Sequence, residues 1–106
     1  MRSDPATRQV TLLHFQGCPS WETARDRLEE LADELGFDLA LVEVDTTEDA
    51  ERLRFRGSPS ILLDGVDVFA EGDEPVGLSC RVYDTPEGPA GSPTVGQLRD
   101  ALAGRG

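Results

Sequence analysis

The sequence lacks the patterns that mark the common enzyme classes. It carries no glycine-rich phosphate-binding pattern, no nucleophile-elbow serine and no paired metal-ligand motif. Hydride transfer, nucleotide hydrolysis and acyl transfer therefore have no recognisable residues to perform them, and no cofactor or bound metal is expected. Cysteine is scarce: Cys18 and Cys80 are too few for a secreted disulfide scaffold, so each reads as reactive, metal-binding or simply buried. No apolar run is long enough to span a bilayer. The opening Met1-Arg2-Ser3-Asp4-Pro5, with its acid and its proline, leads into no signal-peptide stretch, which predicts a cytoplasmic protein. Basic residues are also few, 10 against 21 acids, for a formal net charge of -11. A surface of that sign repels phosphate backbones and anionic lipid, so neither nucleic acid nor a membrane is an expected partner.

What is present is one domain's worth of chain. At 106 residues and 38% hydrophobic, it can fill one core, predicting a single domain over residues 1–106 with its core within 10–103. Residues 10–15 are apolar on both faces, as in a strand covered by helices on both sides. Trp21, Ala24, Leu28, Leu31, Ala32 and Leu35 recur at intervals of three and four with charges between them, predicting a helix that Gly36 ends. Pro19 suits a first helical position, which sets Cys18 at or beside the N-cap. Residues 39–44 read as a second strand, parallel to the first because a long crossover joins them. Thr46 opens a short helix that stops before Gly57. Residues 60–63 and 66–69 flank Asp64-Gly65, a hairpin turn signal. Residues 70–93 form a loop rich in Gly, Pro and acids that carries Cys80, with a short strand predicted over 78–83. Thr94 and Gln97 fit a capping box before a closing helix that ends at Gly104.

The order βαβ, short helix, ββ, α, with a cysteine at the first helix and a proline immediately before the hairpin strand, resembles the thioredoxin and glutaredoxin superfamily. The implied fold is α/β, a thioredoxin-like βαβ-α-ββ-α chain with a mixed four-stranded sheet. More narrowly, Phe15-Gln16-Gly17-Cys18-Pro19-Ser20-Trp21, Gly57-Ser58-Pro59-Ser60 and Leu78-Ser79-Cys80-Arg81-Val82-Tyr83 resemble a group of small bacterial thioredoxin-like proteins, some of which carry the label alkylmercury lyase. The superfamily's Cys-x-x-Cys motif here reads Cys18-Pro19-Ser20-Trp21, so Trp21 stands where the resolving cysteine would be. The resemblance implies that Pro59 is a cis-proline facing Cys18, and that Ser58 offers its backbone to an incoming chain. It also implies that Arg56, the last of Arg52, Arg54 and Arg56, is placed to hold the carboxylates of a small thiol such as glutathione.

Each candidate also has a structural reading. A thiol at a helix N-terminus should ionise more readily than a free one, which makes Cys18 the expected nucleophile, although buried free cysteines are common. Cys80 is either one more inward group in the alternation Leu78, Cys80, Val82, or the distant thiol that resolves a species formed on Cys18. The hairpin returns the chain to the end of the sheet that bears Cys18, so the two thiols can meet. Trp21 begins the inward helix stripe and reads as core; the alternative, as a substrate-site residue, is that its ring, three residues after Cys18, shields the thiol from water. Arginines scattered along a helix ordinarily lie in solvent. His14 reads as a structural histidine, with a soft metal shared by His14, Cys18 and Cys80 as the alternative. The leading functional expectation is a thiol-disulfide oxidoreductase acting on protein or small-molecule thiols and disulfides, with no expectation for its oligomeric state. The alternatives are a soft-metal or organomercurial-binding thiol protein and a thioredoxin-like interaction module without catalysis.

Overall fold

The structure is a computed structural model that describes residues 8–70 and 75–103. Along the chain run β1 (Arg8–His14), α1 (Trp21–Leu35), β2 (Phe37–Glu43), α2 (Thr47–Leu53), β3 (Ser60–Leu63), β4 (Val66–Asp67), β5 (Tyr83–Thr85), β6 (Gly88–Ala90) and α3 (Val95–Ala103). The main sheet has the order β2-β1-β3-β4. β1 pairs in parallel with β2 and antiparallel with β3, and β4 returns antiparallel to β3. This is the expected mixed α/β architecture with a four-stranded mixed sheet, to which the β5–β6 hairpin is added before the closing helix.

The apolar character of β1 on both faces has a direct consequence, because successive strand side chains point to opposite sides. Val10 and Leu12, with Ile61 and Leu63 of β3, pack against Ala24, Leu28 and Leu31 of α1 and Leu98 and Leu102 of α3. Leu13 instead joins Val44, Ala50 and Phe55, with Leu62 and Leu78 packed on them, so the face bearing α2 has its own core. Residues 39–42 are largely apolar, yet β2 is an edge strand and its Leu41 and Val42 are exposed. Among the described residues no helix is long and apolar enough to cross a membrane.

Local signals explain most of the boundaries. Gly36 caps α1 in the left-handed conformation with φ 76°, its N–H donating to Ala32 O. Thr46 Oγ1 accepts from Asp49 N–H at 3.1 Å at the start of α2. Thr94 and Gln97 exchange side-chain bonds of 3.0 and 3.1 Å, a reciprocal cap on α3. Asp64 and Gly65 both have positive φ, 51° and 88°, matching the tight turn between β3 and β4.

Four expected elements differ. β2 spans Phe37–Glu43 rather than residues 39–44. β1 ends at His14 rather than at residue 15, since Phe15 N–H turns away to Ser58 Oγ. β4 stops at Asp67 rather than at residue 69, because the Asp67 carboxylate accepts from Phe69 N–H at 3.0 Å and turns the chain. Residues 78–83 do not form a strand. Cys80 makes a single parallel bridge with Ser58, and regular pairing begins only at Tyr83. The expected helix end at Gly104 and the opening residues 1–5 lie outside the described residues.

Candidate functional site

The site is assembled where β1 gives way to α1. After His14 the chain turns so that Cys18 N–H donates to Phe15 O at 3.1 Å. Trp21 N–H then reaches Cys18 O at 3.4 Å and Glu22 N–H reaches Pro19 O at 3.1 Å. Residues 18–20 are thus a lead-in turn, and the N-cap of α1 is Ser20, not Cys18. Cys18 stands two positions ahead of the cap because Pro19 and Ser20 make the turn. It is only 3% exposed.

The facing wall comes from the segment before β3. Ser58-Pro59 is a cis peptide bond, as expected, and both residues are buried. Residues 75–83 cross this wall as a strap. Ser58 N–H donates to Ser79 O at 2.8 Å and Ser58 O accepts from Arg81 N–H at 3.0 Å. The Ser58 backbone expected to meet an incoming chain is therefore engaged by the protein's own segment. Gly57 makes this closeness possible: its φ is 106°, and a Cβ there would come within 3.2 Å of Arg81 N. Between these two hydrogen bonds lies Cys80, joined to Cys18 by a disulfide with Cα atoms 5.6 Å apart across 62 residues of sequence. Cys80 is exposed, so it is not the inward member of an alternating strand.

Charge and hydrogen bonding fasten the strap further. Arg81 Nη1 donates to Asp67 Oδ2 at 2.8 Å and to Ser60 Oγ at 3.2 Å, while Ser60 Oγ donates to Gly57 O at 2.7 Å. Arg56 Nη1 lies 3.7 Å from the same Asp67 oxygen, so one nearly buried carboxylate serves two guanidiniums, as buried charges require. The Arg81 guanidinium also sits 4.9 Å over the Tyr83 ring, and Tyr83 OH donates to Pro59 O at 2.5 Å. Within the strap, Gly77 N–H donates to Phe55 O at 3.0 Å. Of the other arginines, Arg52 pairs with Asp49 and Arg54 caps α2. Sequence reasoning missed Ser60, Asp67, Arg81 and Tyr83. The available signal was one acid in Val66-Asp67-Val68 and one arginine in Cys80-Arg81-Val82, opposite charges set into apolar stretches.

Three residues after Cys18, Trp21 stacks on His14 with ring centroids 4.1 Å apart, and Arg25 lies 5.2 Å over the indole. Trp21 also packs against the core of α1 and α3, in keeping with its place in the helix stripe. His14 is buried and its Nδ1 has no hydrogen-bond partner. Burial holds this imidazole below the ordinary histidine range; nearby Glu43 opposes the shift and Arg25 adds to it. Among the described residues no group of three or more His, Cys, Asp or Glu could hold a metal ion.

A cleft of about 460 Å³ opens beside the strap, lined among others by Arg56, Phe69, Cys80, Tyr83, Asp84 and Gln97. The structure thus brings Cys18, Cys80, Ser58 and Pro59 together, sets Trp21 beside Cys18's turn on His14, and puts Arg56 in the cleft and against Asp67. Compared with known proteins, the chain matches no family model, no curated protein and no solved structure.

Proposed function

We propose that this protein is a thiol-disulfide oxidoreductase of thioredoxin-like fold, with the Cys18–Cys80 pair as its redox group. The observation that carries the reading is the bridge itself: a disulfide between the turn that opens α1 and a strap lying against cis-Pro59, with one half exposed. Thiol-disulfide exchange requires a disulfide, a thiolate that can reach one sulfur and a leaving thiol that can be stabilised. Cys80 satisfies the second condition, and the approach to α1 favours negative charge on Cys18. Reduction by two equivalents of an external thiol yields both protein thiols and one external disulfide; oxidation reverses it. Trp21 denies the chain a vicinal dithiol, so the pair is completed from the strap.

The test is turnover. With dithiothreitol as donor, the wild-type protein should accelerate reduction of bis(2-hydroxyethyl) disulfide or insulin, and the double variant Cys18→Ser/Cys80→Ser should not. Equal rates for the two proteins would reject the proposal.

A further inference from the structure

The two halves of the disulfide are not equivalent to an incoming reagent, and their difference reverses the roles the sequence suggests. A thiolate attacks one sulfur of a disulfide along the S–S axis, from the side opposite the sulfur that leaves. Attack on Cys18 would have to come through the protein, for Cys18 is 3% exposed beneath the strap. Attack on Cys80 comes from outside, for Cys80 is exposed and borders the cleft that also holds Tyr83 and Gln97. The strap does not need to move for this. It stays fastened through Ser58 on both sides of Cys80 and through Arg81 to Asp67.

Resting on the exchange reading above, we infer that Cys80 is the sulfur through which electrons enter and leave, and that Cys18 is the leaving and resolving thiol. In the reductive direction an external thiolate forms a bond to Cys80 Sγ, the Sγ–Sγ bond breaks, and its electron pair leaves on Cys18 as a thiolate. A second external thiolate then attacks the mixed disulfide at the external sulfur, releasing Cys80 as a thiolate and a symmetric external disulfide. In the oxidative direction the Cys80 thiolate attacks an external disulfide and expels one external thiolate. Cys18 thiolate next attacks Cys80 Sγ and expels the other. The start of α1 serves Cys18 in this role, since the positive end of the helix dipole stabilises the departing charge.

The experiment follows the adduct. Oxidised wild-type protein is mixed with limiting cysteamine, quenched with acid, alkylated and mapped by mass spectrometry; the mixed disulfide should sit on Cys80 and the alkyl group on Cys18. In parallel, reduced Cys18→Ser and Cys80→Ser proteins are treated with bis(2-hydroxyethyl) disulfide. Cys18→Ser should acquire a stable adduct at least tenfold faster than Cys80→Ser, whose remaining thiol is buried. Adduct on Cys18 in the wild type, or faster modification of Cys80→Ser, overturns the assignment while leaving the exchange activity standing. A wild-type disulfide that cysteamine fails to open in the folded protein overturns both.

Discussion

Replacing Cys80 by serine isolates the contribution of the cross-link. The bridge closes a loop over a sequence separation of 62, for which the chain-entropy relation gives about 4 kcal/mol of stabilisation. Side effects are small at this position. Cys80 is exposed, so the new hydroxyl meets water, and Cys18 is left as a small apolar thiol in the place it already fills. The strap's hydrogen bonds to Ser58 use backbone atoms and survive the change. For a chain of 106 residues, a loss of about 4 kcal/mol corresponds to a fall in Tm on the order of 20 °C. Urea unfolding followed by Trp21 emission should show a lower midpoint and a steeper slope, because the unfolded chain without the bridge exposes more surface. Wild-type protein in dithiothreitol should give the same curve as the variant. A change in stability below about 1 kcal/mol would refute the reasoning, since it would mean that the bridge constrains little in the unfolded chain.

Two further outcomes follow from the charges around the site. Asp67→Asn removes the carboxylate shared by Arg56 and Arg81 and should destabilise the fold by about 3 kcal/mol in urea titrations; a loss within error would show that this contact contributes nothing. Burial lowers the folded-state pKa of His14, so the unfolded chain takes up a proton that the native protein refuses. Stability from this group is therefore complete above the unfolded value of about 6.5 and falls as pH drops through the window below it, down to the native value. His14→Gln should flatten that part of the profile measured from pH 7.5 to 5, and a wild-type protein that grows more stable over the same descent would contradict the assignment.

The elements that were legible in the sequence are those set by short-range rules. The α1 stripe from Trp21 to Leu35, the Asp64-Gly65 turn, the Thr46 cap and the Thr94/Gln97 box each depend on residues within a few positions, and all stand in the structure. The meeting of Cys18 with Cys80 was legible from topology, since the hairpin returns the chain to the right end of the sheet. What local pattern could not convey was how the strap is held. The alternation Leu78, Cys80, Val82 suggested a strand with inward side chains, yet the segment is positioned by one backbone bridge to Ser58 and by the long-range pair of Arg81 and Asp67, and so turns Cys80 and Val82 outward. The same tertiary contacts occupy the Ser58 backbone and part of Arg56's charge. The N-cap assignment missed by two positions because Pro19 fits a lead-in turn as well as a first helical turn.

The most direct test of the account is a redox titration of the folded wild-type protein. It is equilibrated across ratios of reduced to oxidised dithiothreitol, quenched with acid, alkylated and weighed. The account predicts one reversible two-electron transition, with both cysteines unmodified on the oxidised side, both alkylated on the reduced side, and the same curve approached from either direction. A disulfide that opens only in denaturant, or a reduced protein whose Cys18 and Cys80 stay free under oxidising dithiothreitol, would contradict it.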